Sequence, residues 1–307
     1  MHVVLGATGH VGSAVLKKLI EAGERVLAIT HSPDHGSDLR SLGAEVALAD
    51  IHDVEMLTQA LMRGHSAFIL NPPGQISADS VSQELNSAHA IIKAVNNSGL
   101  KKIVLESTQG AQLGRAIGDL GVLYELEQGL RNTGIPMSVT RAGFYMSNWN
   151  SQLNNARAGR IESLFPADFR MPMAAPEDLG AFNAEKMLRP LELTFELHDF
   201  SGPVDYSAQD VARAFAKALG HPVDIDVIPQ NKWIEYFEEQ GFSSVSAKSY
   251  AHMSEIAFYK EYQVAKHPVR GSTTIDAYIE RLVLSAELQG LETEAMNPDE
   301  ELNRPLQ

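Results

Sequence analysis

His2-Val3-Val4-Leu5-Gly6-Ala7-Thr8-Gly9-His10-Val11-Gly12 stands at the head of the chain, and the rest of the reading works outward from it. The first four residues form a short, buried-type strand, the glycines recur every third position, and an amphipathic helical stretch follows to residue 22. Strand, glycine-rich turn and helix in this order begin a βαβ unit. Glycine lets backbone approach a pyrophosphate, while the helix start offers unpaired N–H groups and the positive end of its dipole. Gly12, the third glycine, allows close packing of helix on strand. Gly6, Thr8, Gly9, His10, Val11 and Gly12 are therefore the expected dinucleotide cradle, with the Thr8 hydroxyl steadying the turn. Three glycines in an ordinary tight turn are the bland alternative, which the position in a βαβ unit disfavours.

The end of the second strand bears on which dinucleotide is accepted. NAD enzymes usually place Asp or Glu there to hold the ribose hydroxyls. This chain has Thr30-His31-Ser32. No carboxylate repels a 2′-phosphate, His31 and Ser32 can donate hydrogen bonds to one, and Arg40 adds charge nearby, so NADP(H) is preferred over NAD(H). A solvated loop is the alternative for His31 and Ser32. Asp50 closes the third strand and either reaches the adenine edge or caps the helix that follows. Asn71-Pro72-Pro73-Gly74 ends the fourth strand, where Asn71 is expected beside the nicotinamide ribose and the prolines either shape that wall or simply stiffen a turn.

Along the chain, strands are expected at 2–5, 25–29, 45–49, 67–70, 102–106 and 137–141, with helices at 11–22, 54–62, 80–97 and 120–132 between them. The strands read as near-continuous apolar runs, as strands buried on both faces do. Gly23, Gly99 and Gly134 follow helices where C-cap glycines sit. This pattern predicts the α/β class: a Rossmann-type doubly wound parallel sheet over residues 1–143. Beyond it, helices at 176–188, 208–219, 232–239, 243–262 and 274–287 alternate with short strands near 196–197 and 223–227. That half, 144–290, reads as a smaller, mostly helical substrate lobe that can exchange segments with the sheet. Residues 291–307 read as an acidic, loosely held tail.

The 307 residues are 44% hydrophobic and 21% charged, an ordinary globular composition. A formal charge of −14 disfavours direct contact with nucleic acid or anionic membrane through a basic field. No apolar run is long enough to span a bilayer, and the strand at the start leaves no room for a leader. With no cysteine there is no disulfide and no thiol nucleophile, which fits a reducing cytoplasm. A metal pair at His31 and His35 is not expected, because Pro33 between them breaks a shared helix. Glu238-Glu239, within the run 235–240, read as a solvated helix face.

With these residues placed, the chain resembles the NmrA-like branch of the atypical short-chain dehydrogenases/reductases. The resemblance rests on Gly6–Gly12, on Gly43-Ala44-Glu45 with Ala49-Asp50, and on Glu127 through Pro136. It continues through Thr140-Arg141-Ala142-Gly143-Phe144-Tyr145-Met146-Ser147-Asn148, then Glu177-Asp178-Leu179-Gly180, Gly202-Pro203 and Tyr206-Ser207. It implies a Rossmann sheet with a small C-terminal lobe and a dinucleotide across the strand ends. It also implies either of two activities: NAD(P)H-dependent reduction of a quinone-like or conjugated carbonyl small molecule, or non-catalytic, redox-responsive binding of the nucleotide by a regulator that contacts a protein partner. A homo-oligomer is compatible with both.

Active short-chain reductases pair a Tyr with a Lys four residues on, the Lys lowering the phenol pKa, and use a Ser/Thr hydroxyl to polarise the carbonyl. Here Thr108 best matches the hydroxyl. Aligning on Glu127 places Asp119 at the Tyr position and Leu123 at the Lys position; reading Tyr124 as the Tyr places Gln128 at the Lys position. The dyad is broken either way. An unassisted phenol at Tyr124, with a pKa of about 10, can still hydrogen-bond a carbonyl. Quinone reduction needs less proton help than ketone reduction, because its charge spreads over a ring. Thr108 and Tyr124 are thus the catalytic candidates. Tyr145, Asn148 and Trp149 are the candidate substrate platform, or else inter-lobe core.

Overall fold

The computed structural model describes residues 1–296. The first half alternates strand and helix without interruption: β1 (His2–Leu5), α1 (His10–Glu21), β2 (Val26–Thr30), α2 (Pro33–Ser41), β3 (Glu45–Leu48) and α3 (Val54–Leu61). It continues with β4 (Ser66–Ile69), α4 (Ser80–Asn96), β5 (Lys102–Thr108), α5 (Asp119–Arg131) and β6 (Met137–Ala142). The second half holds β7 (Phe144–Tyr145), a 3₁₀ stretch at Met146–Gln152, α6 (Leu153–Arg157), β8 (Arg160–Ser163), β9 (Met171–Ala174), α7 (Pro176–Leu188) and β10 (Phe195–Ser201). Then follow β11 (Asp205–Tyr206), α8 (Ala208–Leu219), β12 (Asp224–Val227), α9 (Trp233–Glu239), α10 (Ser244–Tyr259), β13 (Val269–Arg270) and α11 (Ile275–Met296).

Eight strands form one sheet in the order β13-β10-β6-β5-β4-β1-β2-β3. Every pairing in it is parallel. Strand order reverses between β1 and β4, which opens a crevice beyond their C-terminal ends, where a doubly wound sheet binds its ligand. The strands are short and apolar because both faces are covered. On one side Leu57, Ile91, Val122 and Leu126 from α3, α4 and α5 pack on Val3, Leu27 and Ile103. On the other, Val15 and Leu19 of α1 and Leu179 of α7 pack on Val4, Phe68 and Val104. A Cβ at Gly180 of α7 would stand 2.3 Å from the Ala14 Cβ of α1, so the absence of a side chain there sets how near the two helices come.

Several sequence expectations need correction. Residues 33–41 are a helix: Pro33 occupies its first turn, where a missing N–H costs nothing, so the proline starts the helix. His35 belongs to that helix and His31 precedes it. The stretch near 196–197 is the seven-residue β10, which enters the main sheet beside β6, with β13 beyond it. Through α7, β10 and β13 the C-terminal half therefore contributes to the sheet as well as to the lobe. Asp53, not Asp50, caps α3, accepting the Met56 N–H at 2.9 Å, while the Asp50 carboxylate accepts the His52 N–H at 2.8 Å. The expected tail at 291–307 begins too early, because α11 runs to Met296, and 297–307 lie outside the described residues. No helix among the described residues is long and apolar enough to cross a membrane.

Candidate active site

The glycine turn has the geometry of an anion cradle. Gly6 adopts φ +77°, and the Gly9 N–H folds back to the Gly6 carbonyl at 3.0 Å. Gly9 precedes α1 without capping it through a side chain, and no acid stands in the first turn. The N–H groups of His10, Val11 and Gly12 lie ahead of the helix's own acceptors and are open to an anion. A Cβ on Gly12 would fall 2.0 Å from the Gly6 carbonyl oxygen, so only glycine lets the helix start this close to the turn. Thr8, Gly9 and His10 are exposed.

The neighbouring strand ends complete the crevice. At the end of β2, the Thr30 hydroxyl accepts the Ser32 N–H at 3.2 Å, while the Ser32 hydroxyl makes no capping bond to α2 and His31 is exposed. The single acid in that first turn is Asp34. Asp50 is exposed at the end of β3. At the end of β4, Asn71 donates through Nδ2 to the Glu84 carbonyl at 3.1 Å, but its Oδ1 is buried with no partner. An unpaired buried acceptor is costly, and a donor on a bound ribose would satisfy it. These residues fit a dinucleotide: an uncapped helix start, a turn only glycine can make and an orphaned acceptor at the switch point.

Beside this crevice, at the ends of β5 and β6, lies a cavity of about 630 Å³. Thr108, Tyr145, Asn148 and Trp149 all line it. Trp149 is also core, buried edge-on to Phe144 at a centroid distance of 6.0 Å. Tyr124 does not line the cavity. The α5 residues that do are Asp119, Leu120 and Leu123, so the face presented is the one that the Glu127 alignment assigns to the lost dyad. The opposite wall comes from the C-terminal half, with Phe165, Tyr236, Phe242 and Tyr250. The run at 235–240 is thus only partly a solvated face: Glu238 and Glu239 are exposed, while Tyr236 and Phe237 turn to the cavity. Helical spacing from the buried Trp233 carried that signal.

Below the cavity lie two polar clusters. Glu127 and Arg141, quoted above for the resemblance, form a buried two-pronged ion pair: Arg141 donates through Nε at 2.9 Å and Nη2 at 2.7 Å. Ser107 donates to the same carboxylate at 2.5 Å. Both motif residues thus clamp α5 to the ends of β5 and β6. The second cluster centres on Glu106, 2% exposed on β5. Its carboxyl accepts the Tyr145 hydroxyl at 3.1 Å and the Asn183 amide at 2.6 Å, and Thr140 donates to Asn183 at 2.7 Å. Burial pushes Glu106 up to about 8, and burial together with Glu106 lifts the Tyr145 phenol well above its ordinary value. The Tyr145 phenol therefore keeps its proton near neutrality.

The Glu106 cluster predicts a pH dependence. The folded protein keeps a proton that the unfolded chain releases near 4.5. That stabilisation is fully present below the unfolded value and is lost as pH rises through about 8. Thermal melts from about pH 5 to about pH 8.5 should show Tm falling with pH, and Glu106→Gln should flatten the fall. An equal slope in both proteins would rule this origin out.

Comparison with known proteins agrees with the geometry. The NAD(P)H azoreductase of Xenophilus azovorans is 26% identical over 236 residues, 73% of this chain and 75% of that protein. The NADPH-dependent quinone oxidoreductase QOR2 of Escherichia coli, in a crystal structure with NADPH, matches with a TM-score of 0.75 at 22% identity, over 92% of this chain and 99% of that one. The triphenylmethane reductase of Citrobacter sp. matches with a TM-score of 0.77 at 16% identity, over the same shares, 92% and 99%. At such identities the two structural likenesses establish the fold. The profile of the NmrA-like family matches residues 2–281, and the chain belongs to that family.

Proposed function

We propose that this chain is an NADPH-dependent reductase of flat, conjugated acceptors of the quinone or azo type. The observation that carries the reading is the aromatic-walled cavity at the ends of β5 and β6, the strands next in the sheet to β4 and β1, at whose ends the dinucleotide fits. Flat substrates bind by face and edge contact with such walls. NADPH, when bound, supplies the hydride. Gly6, Thr8, Gly9 and the first turn of α1 hold the pyrophosphate, His31 and Ser32 meet the 2′-phosphate, and Asn71 takes a ribose hydroxyl. Thr108 hydrogen-bonds the acceptor oxygen or nitrogen, and Tyr145, Asn148 and Trp149 orient its ring. Relatives named azoreductase and quinone oxidoreductase support the substrate class. A cysteine-free chain using NADPH suits the cytoplasm.

The position of Tyr124, off the cavity wall, favours a second reading: a dinucleotide sensor without turnover, acting through a protein partner or a second copy. Anaerobic NADPH oxidation against a panel of naphthoquinones and azobenzenes separates the two. Consumption of NADPH with stoichiometric reduced acceptor is the expected result. Tight NADPH binding with no oxidation by any acceptor would favour the sensor.

A further inference from the structure

Glu84 is a carboxylic acid on the wrong face of its helix. It shares the buried side of α4 with Ser80, Ser87, Ala88 and Ile91, and is 3% exposed. The Gly74 N–H donates to its Oε1 at 2.8 Å, and the carboxyl of Asp119, the first residue of α5, lies near enough that each acid bears on the other's titration. Two buried carboxyls that interact in this way cannot both ionise easily. Burial pushes both above their ordinary values, Glu84 to about 8. The other titratable groups facing the pair are phenols, Tyr250 from α10 and Tyr145 from β7. The cations of the cavity are engaged elsewhere: Arg170 pairs with Asp210 at 3.2 Å, and Lys260 stands 5.6 Å over the Phe169 ring.

Of the two acids, only Asp119 lines the cavity, and it is half-buried there. A separate feature of the same wall points to a ligand. Gln109, also lining the cavity and 6% exposed, keeps its Oε1 without a hydrogen-bond partner. Asp119 and Gln109 thus stand in the same wall.

We propose that Asp119 is the proton donor to the acceptor in this cavity, and that Glu84 behind it is a positioning residue that holds and replenishes the proton. The assignment rests on the reductase reading above. In the balanced step the acceptor takes a hydride from NADPH, leaving NADP⁺. The electron pair moves to the acceptor heteroatom, the Asp119 O–H bond breaks and the heteroatom–H bond forms. Asp119, now a carboxylate, regains a proton through Glu84, and water restores the pair. The arrangement supplies by a carboxyl pair what the broken Tyr–Lys dyad does not.

The test compares parent, Asp119→Asn and Glu84→Gln with NADPH and two acceptors. A naphthoquinone spreads the developing charge over its rings and can take its proton from water, whereas an azobenzene nitrogen cannot hold the charge. Asp119→Asn is expected to lower azobenzene kcat by about 100-fold or more, the scale of general acid catalysis, and naphthoquinone kcat by less than about 10-fold. NADPH affinity and Tm should match the parent. A readout apart from turnover is ¹³C NMR of aspartate-labelled, nucleotide-free protein. The Asp119 carboxyl, identified by its loss in Asp119→Asn, should titrate in two steps in the parent and in one step in Glu84→Gln. Should Asp119→Asn not fold, Glu84→Gln carries the test, and an azobenzene pH–rate profile identical to the parent's overturns the proposal. Equal behaviour of both acceptors in Asp119→Asn, or a single-step titration in the ordinary aspartate range, overturns it too. A parent that oxidises NADPH with neither acceptor overturns the reductase reading, and this assignment with it.

Discussion

A Gly12→Ala variant is expected to lose calorimetrically detectable NADPH binding and to melt well below the parent. The added methyl would stand 2.0 Å from the Gly6 carbonyl oxygen and 2.7 Å from its carbon. Both are backbone atoms of a turn already at positive φ, so nothing flexible gives way. Either α1 slides off the turn, scattering the N–H groups that face the pyrophosphate, or Gly6 leaves its conformation. Overpacking of this kind costs about 1–3 kcal/mol or more. Gly9→Ala is the control, because its methyl meets the same oxygen at 3.5 Å, an ordinary contact. It should melt with the parent. Equal melting of Gly12→Ala and parent would mean that the turn is less tight than described.

Glu127→Ala should be comparably damaging for a different reason. Removing the carboxylate strands Arg141, only 16% of whose side chain is exposed, without its partner. It also frees the Ser107 hydroxyl. Breaking a buried pair from one side costs about 3–5 kcal/mol, much of it the penalty of the charge left behind. The double variant Glu127→Ala/Arg141→Met should recover a large part of that loss, and urea denaturation of the three proteins measures it. A double variant no more stable than Glu127→Ala would show that the damage lies in lost packing. Because Ser107 adjoins Thr108, Glu127→Ala should also slow reduction by whatever folded protein remains.

The parallel half was legible from sequence because its signals are local. An apolar strand on a doubly covered sheet, a glycine turn and a helix of ordinary period need only a dozen residues to declare themselves. Pro33 misled because a proline at a helix start and one inside it look alike in sequence. β10 was foreshortened because Glu196, His198 and Asp199 interrupt its apolar run; its Glu196 is held by Lys186 at 2.9 Å, a partner ten residues away. In the site, the glycine turn stands directly before α1 and Thr108 lines the cavity, while Tyr124 does not. Glu84 went unremarked, and Asp119 was read only as the residue at the lost Tyr position, because a carboxyl pair made by two helices has no spacing. The one trace was a charge at a core position of α4, between Ser80 and Ser87. Glu127 and Arg141 stood in the resemblance motif, but their role as an ion pair emerges only when α5 lies against β6.

The most direct test of the whole account is titration calorimetry of the purified protein with NADPH, NADP⁺, NADH and NAD⁺. Tight binding of NADPH and NADP⁺ with weak binding of NADH and NAD⁺ is the predicted result, since no carboxylate in Thr30-His31-Ser32 meets the 2′-phosphate. Binding of none of the four would contradict the account, leaving a glycine turn that serves packing alone and a cavity without a reductant.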